Sequence, residues 1–108
     1  MILNSNHITL TSDIEEASLK LNGLRNYISS VEDEMRYYNL RLDLLEEVEP
    51  FWTTEDELAY NSICDHINML SDRRYSLKCK EMHLKAFMDH LEEADKELRW
   101  FEICEEED

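Results

Sequence analysis

The chain has a single glycine, Gly23, and a single proline, Pro50, among its 108 residues. Sheet-rich folds need many tight turns, and turns draw on both residue types, so an all-β or α/β architecture is not expected. Basic residues are scarce too: 11 Lys and Arg stand against 26 Asp and Glu, a formal net charge of −15. Phosphates and anionic lipid surfaces repel such a chain, so it should bind neither nucleic acid directly nor a membrane surface. No apolar run approaches the roughly 18 residues of a membrane span. Cysteine is limited to Cys64, Cys79 and Cys104, an odd and widely spaced set that suits free thiols better than a disulfide framework. No basic stretch leads into an apolar run near Met1, so no secretory leader is expected and a cytoplasmic setting follows.

What is present is a stripe. Apolar residues fall at Ile14, Ala17, Leu21, Leu24, Ile28, Val31, Met35, Tyr38, Leu42 and Leu45. The steps alternate between three and four, which is the a/d seam of a helix packing lengthwise on another helix. Residues 1–11 are rich in Asn, Ser and Thr, poor helix-interior residues, so they read as an N-terminal arm. The heptad also extends back through Leu10, His7 and Leu3, which leaves an earlier start open. Ser12 with Glu15 forms a candidate capping box, placing helix 1 at residues 12–49. Pro50 disfavours helical geometry in the residue before it, and residues 50–53 make the turn.

Thr54 with Glu57 offers a second capping box, opening helix 2 over residues 54–104. Ile63, Leu70, Leu77, Leu84, Leu91 and Leu98 recur at every seventh position and argue for one continuous helix. Its companion a positions include Arg74, Glu81 and Asp95, charges in a seam that set register or oligomer state, or pair across a dimer. Beyond Leu84 a more apolar seam runs through Phe87, Leu91, Ala94, Leu98 and Phe101, so the apolar face should rotate there. So short a turn returns the helices antiparallel. The expected fold is therefore all-α, a single-domain two-helix hairpin in which paired residue numbers sum to about 103. Past Glu92, the arm or a second chain is expected to cover Leu98, Trp100, Phe101 and Ile103.

Charge is laid out in zones. Residues 43–57 hold seven acids and no base: Asp43, Glu46, Glu47, Glu49, Glu55, Asp56 and Glu57. Residues 89–108 hold ten acids against Lys96 and Arg99, ending in an acidic tail at 105–108. Between them Arg73, Arg74, Lys78, Lys80 and Lys85 face only Glu81. Like charges crowded at one tip cost stability, so a tip without a base suggests a docking surface for a basic protein, with Trp52 as an anchor. Solubility alone is the alternative use of the same acids.

Apolar residues exceed one stripe per helix. Tyr37, Leu40 and Leu44 lie on the far side of helix 1, and Met69, Met82 and the aromatic end of helix 2 add to them. Tyr37, Leu40, Leu44, Phe87, Leu98, Trp100 and Phe101 are therefore the interface candidates. Apolar surface of that extent marks an interface, and a homodimer is its simplest use.

No nucleotide loop, catalytic triad or carboxylate pair across a cleft is present. Cys79 and His83 have chelating spacing, but His90 lies about two turns further along, roughly 10 Å by helical rise, too far to share one ion within the chain. Neither a metal, nor a cofactor, nor enzymatic activity is expected. The function expected is that of a non-enzymatic acidic protein that binds and inhibits or regulates a partner with a basic surface. Small acidic helical proteins of viruses and mobile elements block DNA- or RNA-binding host factors in this way, and the similarity here is one of composition. The alternative is a structural or assembly coiled coil.

Overall fold

The computed structural model describes the backbone of residues 2–107 and the side chains of residues 9–101. Two long helices pack against each other as a hairpin: α1, Ile2–Glu47, and α2, Thr54–Glu107. A short 3-10 turn, Glu49–Phe51, connects them. No strand occurs among the described residues.

The described helix starts at Ile2, so residues 2–11 belong to α1 rather than to a separate arm, and Ser12 sits in the helix interior instead of at its N-cap. The heptad explains the difference, because Leu10 is half-buried on the line that Ile14 and Ala17 continue. A sustained apolar repeat outweighs the weak helix propensity of a few Asn, Ser and Thr residues. At the other end α2 runs past residue 104 to Glu107, taking most of the acidic tail into the helix. The side chains of Leu3, His7, Ile103, Cys104 and the tail lie outside the described ones.

All ten residues of the stripe from Ile14 to Leu45 are buried or half-buried. On α2 the seam keeps its heptad: Ile63, Leu70 and Leu77 are buried, and Leu84, Met88, Leu91, Asp95 and Leu98 are half-buried. The apolar face therefore does not rotate after Leu84. Phe87 and Phe101 stay 55% and 53% exposed, while Met88 and Asp95 keep the seam positions. Asp95 is tolerated there with its carboxylate 3.1 Å from Arg99 Nε, one turn along the same helix.

The chain divides into two compact units. The second, Asn26–Cys79, contains the turn and the buried residues Ile28, Val31, Ile63, Leu70 and Leu77. Its cross-helix partners have numbers that sum to 104–106, as in Tyr38 with His66 and Glu32 with Arg74. The first, Met1–Arg25 with Lys80–Asp108, buries Ala17 and Leu21 on α1. There Arg25 meets Glu81 at 3.4 Å, a pair whose numbers also sum to 106. Both sums lie within a turn of the sequence-based register.

Candidate functional site

The hairpin turn gathers several backbone and side-chain hydrogen bonds. Pro50 sits in the first turn of the 3-10 segment, where its missing N–H costs nothing. The α1 C-terminus leaves carbonyls without helical partners. One of them, Leu45 O, accepts the Val48 amide at 3.1 Å and the Trp52 indole Nε1–H at 2.7 Å. Trp52 is half-buried and packs on Tyr60, their ring centroids 5.0 Å apart. The indole expected as a partner anchor is thus used inside the turn.

Helix α2 is capped one residue earlier than its sequence suggests. The Asp56 amide donates to Thr53 Oγ1 at 3.2 Å, and the Thr53 amide donates to the Asp56 carboxylate at 3.0 Å. That is a reciprocal capping box on Thr53 and Asp56, replacing the one read on Thr54 and Glu57. Both pairs have the right spacing. Thr53 wins because Trp52 leaves the 3-10 turn extended, at φ −62° and ψ 137°, and aims the chain into the helix at the next residue.

Two of the seven tip acids are therefore occupied locally. Asp56 closes the cap, and Glu46 accepts the Tyr60 hydroxyl at 3.1 Å. That hydrogen bond, followed by the carboxylate's charge, raises the Tyr60 phenol above its usual 10.0. Asp43, Glu47, Glu49, Glu55 and Glu57 are exposed, and among the described residues none of them enters an ion pair. Phe51, in the same stretch of sequence, is 85% exposed. Sequence reasoning passed over Phe51 as part of the connection. Its signal was its place at the turn, where a side chain has no helix face to hide against.

The apolar set on the outer side of α1 extends further than Tyr37, Leu40 and Leu44. Val48 continues it, and all four are about half exposed or more. Arg41 lies 5.9 Å from the ring centroids of both Tyr37 and Tyr38, holding a cation over aromatic faces at the edge of this stripe. The stretch from Asp43 to Glu57 thus carries five exposed acids, the exposed Phe51 and the Leu44–Val48 end of an apolar stripe.

Elsewhere the expected residues separate. Arg74 donates to Glu32 at 3.0 Å and Glu81 lies 3.4 Å from Arg25, so both seam charges pair with α1 rather than with each other. Leu98 is half-buried in the intrachain seam, whereas Phe87, Trp100 and Phe101 are exposed. A shallow groove of about 300 Å³, lined by Ala17, Lys20, Leu84 and Phe87 among others, lies beside Phe87. Among the described residues no cluster of His, Cys, Asp and Glu could hold a metal, and no helix is long and apolar enough to cross a membrane. His83, His90 and Glu93 are exposed, and Cys79 is half-buried. The chain matches no protein-family model, no curated protein and no solved structure.

Proposed function

We propose that this protein is a non-enzymatic, self-associating interaction protein whose hairpin tip binds and regulates a partner carrying a basic surface. The observation that carries the reading is Phe51, an aromatic residue 85% exposed within a stretch, residues 43–57, that also carries the exposed acids Asp43, Glu47, Glu49, Glu55 and Glu57 and no base. An apolar anchor inside a charged rim is the usual anatomy of a protein interface, in which the anchor supplies affinity and the rim supplies steering. The caps on Leu45 O and on Asp56 N hold that anchor on a short, ordered turn, which lowers the entropy lost on binding. A basic nucleic-acid-binding groove has the matching chemistry, and occupying it is a direct way to inhibit it.

The test uses a panel of basic nucleic-acid-binding domains, with poly-lysine as a control for charge alone. Binding to a cognate domain should weaken steeply between about 50 and 500 mM salt as the Debye length shrinks. Phe51→Ala should reduce that binding about tenfold or more and leave poly-lysine binding unchanged. The charge reversal should use Glu47, Glu49, Glu55 and Glu57, because changing Asp56 or Glu46 also disturbs the turn. Binding that ignores both salt and Phe51→Ala overturns the proposal.

A second reading is favoured by Phe87 and Phe101, exposed on α2 far in sequence from the tip. In it the protein is a structural assembly module, its acids serve solubility, and the fourfold reversal at the tip leaves function intact.

A further inference from the structure

Helix α2 carries a second apolar line beside its intrachain seam, and its charge is split along its length. Phe87, Ala94 and Phe101 stand seven residues apart, so they share one face of the helix. By helical rotation that face lies roughly 60° from the line of Leu84, Leu91 and Leu98, so it flanks the intrachain seam. Both phenylalanines are more than half exposed, and Ala94 between them is half-buried. Trp100 immediately precedes Phe101, about 100° away around the helix, and does not belong to this line.

The seam beneath is also incompletely closed. In the unit formed by Met1–Arg25 and Lys80–Asp108, no described residue of α2 is buried, although Leu84, Met88, Leu91 and Leu98 all occupy seam positions. A further helix laid along the Phe87–Phe101 line would cover the flank of that seam.

The charge split along α2 suits a second copy of the same helix laid in the opposite direction. Residues 73–85 hold five bases against Glu81, whereas residues 89–108 hold ten acids against two bases. Two copies of α2 side by side in parallel would set basic against basic and acidic against acidic. Antiparallel, with Ala94 near the two-fold axis, Phe87 of each copy falls beside Phe101 of the other. In that register the Lys80–Lys85 segment of each copy runs toward the acid-rich sequence that follows Phe101 in the other. A small residue at the axis lets the helices approach closely, and the two phenylalanines fill the space on either side.

Resting on the self-association proposed above, we infer that the protein dimerises through α2, antiparallel, along Phe87, Ala94 and Phe101. The dimer carries two acidic tips, so a partner with two basic sites gains affinity by avidity.

The experiment starts from the full chain with its three cysteines changed to serine. Its mass by light scattering reads self-association itself, and a monomer at all concentrations overturns that reading together with this one. Single cysteines are then introduced and oxidised. Ala94→Cys should cross-link to its own copy at least tenfold faster than Lys80→Cys, because antiparallel helices bring a position against itself only near the axis. Equal rates at both positions mean a parallel pair, and a dimer that cross-links at neither means another face; either result overturns this inference and leaves self-association standing. Phe87→Lys should raise the dimer dissociation constant at least tenfold with helicity by circular dichroism unchanged, and unaltered dimerisation counts against the face.

Discussion

The two units are built on one heptad repeat, yet they bury it to different depths. In Asn26–Cys79 both helices contribute buried residues: Ile28 and Val31 from α1, and Ile63, Leu70 and Leu77 from α2. In the other unit Ala17 and Leu21 are buried on α1, while the seam leucines of α2 are only half-buried. The α2 leucines pass from buried to half-buried between Leu77 and Leu84, although their spacing never changes. Periodicity therefore selects which face packs, and the size and charge of the opposing seam residues determine how well. Ala17 is a small partner, and Glu81 and Asp95 occupy positions that an apolar residue would seal. The better-packed unit is expected to lose more on truncation of its seam, and the looser one leaves Phe87 and Phe101 exposed.

The most direct way to break this comparison is to truncate one leucine in each unit. Leu70 is fully buried, and Leu70→Ala should cost about 3 kcal/mol by chemical denaturation. Leu91→Ala should cost no more than about half of that in the monomer. Equal losses would mean that the two units pack alike.

A smaller effect tests the turn that closes the tighter unit. Thr53→Ala should lower stability by about 1 kcal/mol through loss of its hydrogen bond to the Asp56 amide. Thr54→Ala should stay within about 0.5 kcal/mol, since no cap depends on its hydroxyl. The reverse order would restore the cap to Thr54.

Smaller still is the Arg74–Glu32 pair. Its side chains are 41% and 35% exposed, so screening limits a double-mutant cycle to about 0.5 kcal/mol, falling with added salt. A coupling well above 1 kcal/mol would show that Arg74 does more than satisfy its own charge in the seam.

The smallest effect is a titration. The Tyr60 phenol is raised above 10.0 mainly by its hydrogen bond to Glu46. The neutral phenol is the favoured form, so any stabilisation is complete below pH 10 and is lost as pH rises through the folded-state value. Phenolate absorbance should appear at lower pH in Glu46→Gln than in the unaltered chain. Identical curves would show that the carboxylate does not hold the phenol proton.

The sequence shows the hairpin because its signals are local and repeated. Ten stripe residues at alternating steps define a helix face whatever surrounds it, and Pro50 marks the turn. The N-terminal boundary was misread because composition argued for an arm, whereas the repeat through Leu10 shows a helix. The cap was misread because Thr53 and Thr54 each have an acid three residues on. Only the path of the chain through Trp52 chooses between them. The acidic tip was visible as composition, but Phe51 at its centre was not, since a turn residue has no periodicity to betray it.

The sequence by itself determined that this protein is two amphipathic helices joined by a short turn, and that one end of the hairpin is acidic without relief. Those follow from helical periodicity and from a chain too poor in glycine and proline to turn elsewhere. Tertiary structure alone decided that the α2 seam stays on its heptad past Leu84, leaving Phe87 and Phe101 outside. It also paired Arg74 with Glu32 and Glu81 with Arg25, and turned Trp52 into a cap. Each of these depends on which side chains meet across the hairpin, and a shift of one residue rotates a helix by about 100° and exchanges its neighbours.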